Sequence, residues 1–259
     1  MSNATIDITC DLGESFGIYK IGRDDEVMPY ITTANIGCGF HGGDPTVMRN
    51  TVRLAKQHGV AIGAHFGYYD LRGFGRRWIT MDKADLINDI LYQMGALQAI
   101  CHVEDVEMTH VKPHGALDDM AALDSNIASA IVEAVGLFDE RLPIYTVWNS
   151  ETRRIADAAG IPTVLQVYVD RGVSDEGIEL AGYRLECVGG SPDAALSRVV
   201  TAVVSGRLAS ESGQLLDWKA NSVCFHGDGA DALTYATRLS AELRAAGLTI
   251  QAPYARASA

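Results

Sequence analysis

The sequence has little positive charge and no long apolar run. Its 259 residues include 21 lysines and arginines against 33 aspartates and glutamates, a formal net charge of −12. Because no basic stripe could neutralise phosphates, we expect neither nucleic acid nor an anionic membrane as a partner. No apolar run reaches the ~18 residues of a membrane span, and the N-terminal stretch lacks the features of a signal peptide.

The sequence also lacks closely spaced pairs of cysteines. The chain has 5 cysteines and none of them forms a C-x-x-C pair, which disfavours a zinc knuckle or a redox motif. The unpaired residues are Cys10, Cys38, Cys101, Cys187 and Cys224. Together with the missing signal peptide, this usage predicts a reduced, cytoplasmic compartment. A hydrophobic content of 47% is typical of a globular protein with a buried core.

The chain also lacks a nucleotide-binding loop. The segment DLGESFG, which follows the first predicted strand, matches neither G-x-G-x-x-G nor G-x-x-x-x-G-K-[ST]. An open doubly wound sheet would normally carry such a loop after its first strand. The absence of such a loop disfavours an open doubly wound sheet and a direct role for the chain in binding ATP.

What the sequence does contain is an alternation of short apolar runs with segments of helical periodicity. Strands are predicted at Thr5–Cys10, Ile31–Cys38, Val60–Ala64, Val106–Val111, Leu142–Trp148, Thr163–Val169 and Ser222–Phe225. Helices are predicted at Thr46–His58, Lys83–Val103, Ser125–Val135, Glu151–Ala159, Pro192–Leu208 and Ala230–Ala246. This order predicts parallel strands joined by crossover helices. With no repeat or linker in view, residues 1–259 are interpreted as a single α/β domain.

Polar residues follow six of the predicted strands. They are Asp11 with Glu14, His41, His65, Lys112 with His114, Asp170 with Arg171, and His226 with Asp228. A closed barrel explains all of them at once, because its strand ends meet at one C-terminal face. An open sheet would concentrate such residues at its switch point.

His41 lies in the segment NIGCGFHGGDP, between glycines. Gly42 and Gly43 remove side-chain bulk and let backbone N–H groups approach a ligand. Asp44 is a good N-cap for a following helix, whose N-terminus would favour an anionic group. The alternative is a glycine-rich turn with an incidental histidine.

Two further groups of residues carry plausible chemistry. Asp11, His41 and His65 could together hold a divalent metal, although no H-x-x-x-H spacing supports it. Lys112 and His114 lie two residues apart, so an extended backbone points both side chains the same way. The alternatives are a capped turn at Asp11, a packed core histidine at His65 and a surface lysine at Lys112.

The remaining candidates are a second histidine–carboxylate pair and an arginine loop. In the segment CFHGDG, a carboxylate near His226 can orient the imidazole. The loop GFGRRW places Arg76 where it could bind a carboxylate, or where it could serve as a mobile lid or a subunit contact. His58, His102 and His110 are expected to be structural or solvated.

With these residues in view, the chain resembles the LamB/YcsF family. The segments that carry the resemblance are DLGESFG, ANIGCGFHGGDP, VAIGAH, GFGRR, QMGALQA, HVKPHGAL and HGD. The resemblance implies a variant seven-stranded (β/α) barrel, similar to the glycoside hydrolase/deacetylase barrels. It also implies a cyclic-amide hydrolase activity, the ATP-dependent opening of 5-oxo-L-proline to L-glutamate with B and C subunits.

The chain departs from the family pattern beside the predicted site. Thr9, Phe66, Asp118, Gly172-Val173 and Gly229-Ala230 replace the usual residues. We therefore expect shared chemistry in a substrate pocket that these departures could alter, and the exact lactam stays open.

The predicted site has two groups of residues. The catalytic group is Asp11, Glu14, His41, His65, Lys112 and His114. The substrate-binding group is Gly42, Gly43, Arg76, Asp170, Arg171, His226 and Asp228. ATP is expected to act mainly through partner subunits, while a divalent metal and a homo-oligomer are open alternatives. Two other functions stay open, a stand-alone metal-dependent deacetylase or amidohydrolase and a non-catalytic subunit that binds a small acid.

Overall fold

The protein, described by a computed structural model, folds around a closed barrel of seven parallel strands. The structure describes residues 4–180 and 191–254, so Cys187 lies outside the described residues. The barrel strands are β1 (Thr5–Leu12), β2 (Thr33–Gly37), β3 (Ala61–Phe66), β4 (Met108–Pro113), β5 (Ile144–Val147), β6 (Thr163–Tyr168) and β11 (Ser222–His226). They pair in the order β11-β6-β5-β4-β3-β2-β1, and β11 also pairs with β1. This pairing closes the barrel and confirms the predicted fold class.

Short strands lie outside the barrel. Two antiparallel ribbons stand between β6 and β11, one made of β7 (Gly172–Val173) with β8 (Glu179–Leu180) and one of β9 (Arg207–Ala209) with β10 (Leu215–Asp217). A last strand, β12 (Thr249–Ile250), pairs with the beginning of β1. None of these five was predicted, because two- or three-residue strands carry no periodicity to detect.

Eight α-helices occur in the described chain. They are α1 (Asp24–Val27), α2 (Pro45–His58), α3 (Lys83–Val103), α4 (Gly115–Leu123), α5 (Ser125–Asp139), α6 (Glu151–Ala159), α7 (Pro192–Ser205) and α8 (Ala232–Ala245), with 3₁₀ turns at Met28–Tyr30 and Leu71–Gly73. The six predicted helices are present, with ends that differ by up to four residues. The sequence did not predict α4, because glycine, its first residue, is a poor helix former. It also did not predict the single turn of α1.

Local sequence signals account for the ends of α2. The side chain of Asp44 accepts hydrogen bonds from the backbone N–H groups of Thr46 and Val47, and Pro45 takes the first helical position. Gly59 ends the helix in a left-handed conformation with φ of 67°. The cap at Asp44 was predicted from the sequence. Asp82 stands at the N-cap position of α3, but its side chain makes no capping hydrogen bond.

Residues of the barrel strands face one of two interiors, the apolar core around the barrel or the polar lumen inside it. In β1, Ile6, Ile8 and Cys10 are buried among the apolar side chains of the core. The alternate residues, Asp7 and Thr9, point into the barrel lumen, because successive strand residues face opposite sides. The lumen is therefore polar, and its polar layers support the site at the barrel mouth.

Among the described helices, no single one is long and apolar enough to cross a membrane. Only α4 and α5 taken together satisfy the same length and composition criterion, and they bend by 116° at their junction.

Candidate functional site

The register of the barrel strands gathers the predicted polar residues at one end. Asp11 is paired with His226 on β11 and with Asn35 on β2. His65 on β3 is paired with Lys112 on β4. Since all seven strands are parallel, their last residues share the C-terminal mouth of the barrel. The predicted clustering of these groups therefore follows directly from strand pairing.

Asp11 and Lys112 form a buried ion pair. The Lys112 Nζ lies 2.8 Å and 3.0 Å from the two carboxylate oxygens of Asp11, and the two side chains are 3% and 2% exposed. Burial alone would raise the pKa of Asp11, but His65 and Lys112 outweigh it and hold that pKa well below its ordinary value. Burial would likewise lower the pKa of Lys112, and Asp11 raises it instead. Both groups are thus charged at neutral pH.

Glu14 stands in a different environment from Asp11, three residues along the chain. Its Oε1 lies 2.9 Å from His41 Nε2, and both side chains are buried. Burial first, and then the charges of Asp11 and Asp228, raise the pKa of Glu14 well above its ordinary value. Two neighbouring carboxyl groups with pKa values pushed apart are the arrangement expected of an acid/base pair.

The glycines beside His41 have a packing role. A Cβ on Gly42 would lie 2.7 Å from the Glu14 carbonyl oxygen, and one on Gly43 would lie 2.5 Å from the Gly13 carbonyl oxygen. The N–H of Gly43 donates to the Ser15 carbonyl. The space cleared by the glycines is therefore filled by the loop after β1, which seats Glu14 against the histidine. Substrate contacts of Gly42 and Gly43 stay a prediction.

Three buried histidines surround Glu14. The rings of His41 and His114 stack in parallel with their centroids 3.6 Å apart, and His114 Nδ1 lies 2.9 Å from His65 Nε2. Burial is the largest cause that lowers the pKa of each imidazole. One nitrogen from each ring and a Glu14 oxygen lie within 4.8 Å of one another, a donor set that could hold a metal ion.

This donor set differs from the one suggested by the sequence, which was Asp11 with His41 and His65. Asp11 is engaged by Lys112, while Glu14 and His114 complete the cluster. Sequence reasoning missed this exchange, because the distance between the strand ends depends on register.

The opposite wall of the mouth carries His226 and its carboxylate partner. Asp170 accepts hydrogen bonds from both the backbone N–H and the Nδ1 of His226, at 3.1 Å and 3.0 Å. Burial raises the pKa of Asp170, but His226 outweighs this effect and brings it to about 2. Asp228 does not orient His226; it lies 3.8 Å from Arg76. Arg171, predicted to bind substrate, is buried beside Asp170.

A small cavity lies between these walls. Its lining combines cations, carboxyl groups and rings: Arg76, Lys112, His114, Gly115, Asp118, Asp119, Tyr168, Glu179 and His226. Four of the predicted site residues thus face the same space. Arg76 and Lys112 supply positive charge there, as a substrate carboxylate would require.

Sequence reasoning missed four members of this lining, which are Gly115, Asp119, Tyr168 and Glu179. Tyr168 is the last residue of β6, and its ring stacks on His226 with centroids 5.7 Å apart. Burial raises the pKa of Glu179 to about 8 and that of Asp119 to about 6. Asp118 was noted only as a departure from the family pattern, and burial raises its pKa to about 7. Strand alternation from Gln166 could have indicated Tyr168, but Glu179 lies on a ribbon without a sequence signal.

The arginine loop is held in place within the described chain. Asp70 accepts from the backbone N–H of Gly73 and from the side chain of Arg77. Phe74 adopts a left-handed φ of 53°, and its carbonyl accepts from His114 Nε2 at 2.8 Å. Such a conformation is unfavourable for a bulky residue, so its neighbours must impose it. The loop therefore helps to fix His114.

The discounted histidines lie away from the cluster. His58 and His102 are exposed near the ends of α2 and α3. His110 is buried in the lumen, where its Nε2 lies 2.9 Å from Asn35 Oδ1, and burial lowers its pKa to about 3. It supports Asn35, which in turn donates to Asp11 at 2.8 Å.

Comparisons with known proteins agree with this architecture. The chain is 45% identical over 248 residues to the A subunit of 5-oxoprolinase from Symbiobacterium thermophilum, covering 96% of this chain and 95% of that protein. The crystal structure of a lactam utilization protein from Thermus thermophilus superposes with a TM-score of 0.87 at 37% identity, over 96% of this chain and 99% of that one.

A more distant likeness concerns the fold alone. A family 4 carbohydrate esterase from Streptomyces lividans matches with a TM-score of 0.52 at 12% identity, covering 96% of this chain and 92% of that one. The predicted similarity to deacetylase barrels is thereby confirmed. The sequence profile of the LamB/YcsF family matches residues 6–258. With nearly the whole sequence covered and the barrel reproduced, the chain belongs to the LamB/YcsF family.

Proposed function

We propose that this chain is the A subunit of an ATP-dependent 5-oxoprolinase and opens 5-oxo-L-proline, or a related small lactam, to the free amino acid. The observation that carries the proposal is the 45% identity to the A subunit of a 5-oxoprolinase over 96% of the chain. The proposed partners are B and C subunits, and the proposed compartment is the cytoplasm. ATP acts mainly on those partners, since the sequence of this chain has no phosphate-binding loop.

The chemistry of lactam opening matches the groups at the barrel mouth. Hydrolysis of a cyclic amide adds water at the carbonyl carbon and breaks the C–N bond, so the leaving nitrogen needs a proton and the oxygen needs charge stabilisation. Glu14 carries a raised pKa and is buried beside His41. It is the proposed acid/base group, because a carboxyl group with a raised pKa holds a proton more readily than Asp11 does and can pass it on.

Asp11 is less suited to that task than the sequence suggested. Its carboxylate is fixed by Lys112 and Asn35, and its pKa is held low. We assign it the role of holding the lysine ammonium at the cavity wall. Lys112 and His226 then stabilise negative charge on the substrate, and Arg76 binds the carboxylate of the lactam acid.

A second candidate function follows from the histidine cluster, a stand-alone metal-dependent amidohydrolase or deacetylase. The buried set of Glu14 with three histidines is the observation that favours it. Chelator-sensitive hydrolysis by the isolated chain, without ATP, would support this function.

A panel of lactams separates these functions. The purified chain is assayed alone, with ATP, and with the B and C subunits plus ATP. The proposal expects glutamate from 5-oxoproline only in the last mixture. Hydrolysis by the chain alone favours the second candidate. Binding of 5-oxoproline that persists in Glu14→Gln, together with unchanged turnover, would indicate a non-catalytic binding role.

A further inference from the structure

The hydrogen bonds around the histidine cluster fix where the protons lie. His65 Nδ1 lies 3.0 Å from the Lys112 carbonyl oxygen, and His114 Nε2 lies 2.8 Å from the Phe74 carbonyl oxygen. A carbonyl can only accept, so each of these nitrogens carries a hydrogen. In the neutral imidazole, the other nitrogen of each ring then holds an unprotonated lone pair.

Those two lone pairs face each other. His65 Nε2 and His114 Nδ1 are 2.9 Å apart, and His65 Nε2 also lies 3.2 Å from an Asp11 carboxylate oxygen. These contacts are favourable only with a cation or an additional proton among the three atoms. Glu14 Oε1 points to the same place, 3.3 Å from His114 Nδ1 and 3.7 Å from His65 Nε2. His41 Nε2 lies 2.9 Å from that oxygen. Three imidazole nitrogens and a carboxylate oxygen thus lie within 4.8 Å of one another.

An additional proton fits this environment poorly. All four residues are buried, with exposed fractions of 4% or less, and burial disfavours a charged imidazole. The parallel stacking of His41 on His114 adds to this, because a cationic ring would meet its neighbour at 3.6 Å. Neutral rings with inward lone pairs are what a metal ion requires.

The spacing of the donor atoms also suits a metal. Four ligands at the usual zinc distances of ~2.0–2.1 Å, arranged as a tetrahedron, lie about 3.3–3.4 Å from one another. The separations of 2.9, 2.9, 3.3 and 3.7 Å scatter around that value, and all four donor atoms lie within 4.8 Å of one another. The outer nitrogens of His65 and His114 donate to backbone carbonyls, the support that metal-bound histidines commonly have.

We propose that Glu14, His41, His65 and His114 form a binding site for one divalent transition-metal ion of the zinc type. The site is built from four different segments, the loops after β1 and β2, the end of β3 and the residue after β4. The imidazole-rich donor set discriminates against magnesium, which prefers oxygen ligands. This inference goes beyond the proposed function, because it concerns binding by the isolated chain. A bound ion requires a deprotonated Glu14, so the acid/base role proposed for Glu14 belongs to the metal-free chain.

Metal binding to the full-length chain tests the inference without any activity assay. Chelator-treated protein is titrated with Zn²⁺ by calorimetry in millimolar Mg²⁺, and with Co²⁺ followed by visible absorption. We expect one Zn²⁺ per chain, retained in Mg²⁺, and the intense visible bands of four-coordinate Co²⁺. Failure to bind a stoichiometric Zn²⁺, or its displacement by Mg²⁺, would overturn the inference and leave a shared proton as the explanation of the cluster.

Matched variants locate the ion. His114→Gln and His65→Gln should weaken zinc binding by at least ~100-fold, since even outer partners of a metal ligand contribute 10–100-fold. His58→Gln, at the exposed end of α2, should bind as wild type does. Glu14→Gln keeps the size of the side chain and should weaken binding at least ~10-fold with an unchanged circular dichroism spectrum. Equal affinity in all variants would contradict the assignment.

The outcomes for binding and for function are distinguishable. A chain that binds zinc at this site but opens no lactam with its partners refutes the proposed function and leaves the metal site standing. A complex that opens 5-oxoproline while the chain binds no metal does the opposite.

Discussion

The buried pair of Asp11 and Lys112 gives a quantitative test of the site electrostatics. At their separation of 2.8 Å, two unit charges attract by about 6 kcal/mol at an effective dielectric constant of about 20. Both ions also lose hydration on burial, so the net contribution of the pair to the free energy of unfolding is far smaller. Removing only one partner leaves an uncompensated buried charge, which costs about 3–5 kcal/mol.

The variant Lys112→Met is therefore expected to lower the free energy of unfolding by about 3–5 kcal/mol. It leaves the carboxylate of Asp11 beside His65 and His226, at 3.2 Å and 3.5 Å, without its main cation. The double variant Asp11→Asn/Lys112→Met removes both charges and should recover much of that loss. Urea denaturation of the two single variants, the double variant and wild type completes a double-mutant cycle.

The surface pair of Lys83 and Glu133 is a matched control. Its N–O separation is also 2.8 Å, but its side chains are 45% and 50% exposed. Lys83→Met should cost no more than about 1 kcal/mol, because exposed pairs are hydrated and screened. If Lys112→Met and Lys83→Met cost the same, or if the effects of Asp11→Asn and Lys112→Met simply add, Asp11 and Lys112 do not interact as a buried ion pair.

Three further predictions concern pH, packing and the lumen. Burial raises the pKa of Asp118 to about 7, so the folded chain keeps a proton that the unfolded chain gives up near pH ~4. The contribution of Asp118 to wild-type stability should then fall as the pH rises from about 4 to about 7, and Asp118→Asn should become more stable relative to wild type through that window only. Parallel stability–pH profiles of the two proteins would contradict this. Gly43→Ala should lower the free energy of unfolding by more than about 2 kcal/mol in urea melts, because φ is +80° and the new Cβ would meet two carbonyl oxygens at 2.5 Å. Gly59→Ala, which has open space around it, should cost about 1–2 kcal/mol. Equal costs would argue against close packing of the His41 loop. Tyr145→Phe removes a hydroxyl that donates to the buried Asp7 carboxyl at 3.1 Å, and thermal melts should show a loss of about 1–3 kcal/mol; an unchanged melting temperature would show that this hydrogen bond contributes nothing.

The barrel was predictable because its signals are local and repeated. Each of the seven barrel strands is an apolar run bounded by turn residues, and helix ends such as Asp44 and Gly59 carry their own chemistry. The ribbons β7–β8 and β9–β10 lack such signals. Their residues, including Glu179, reach the site only through tertiary contacts.

Most residues of the candidate site could be predicted from the sequence, but the role of each residue could not. Strand ends can be counted from the sequence, which is why Asp11, His65 and Lys112 were found. Which carboxylate pairs with which cation depends on register, and the pairing of Lys112 with Asp11 leaves Glu14 for the histidines. The pKa of Glu14 depends on burial, which no short motif reveals.

Glutamate formation by the reconstituted complex tests whether this chain takes part in lactam opening through Glu14. The B and C subunits, ATP and 5-oxoproline are held constant, and only this chain is changed from wild type to Glu14→Gln. Wild type should yield glutamate, and the variant should lower kcat by ~10²–10⁴, the usual contribution of a general acid or base. Absence of glutamate with the wild-type chain, or equal turnover by the variant, would contradict that role of Glu14.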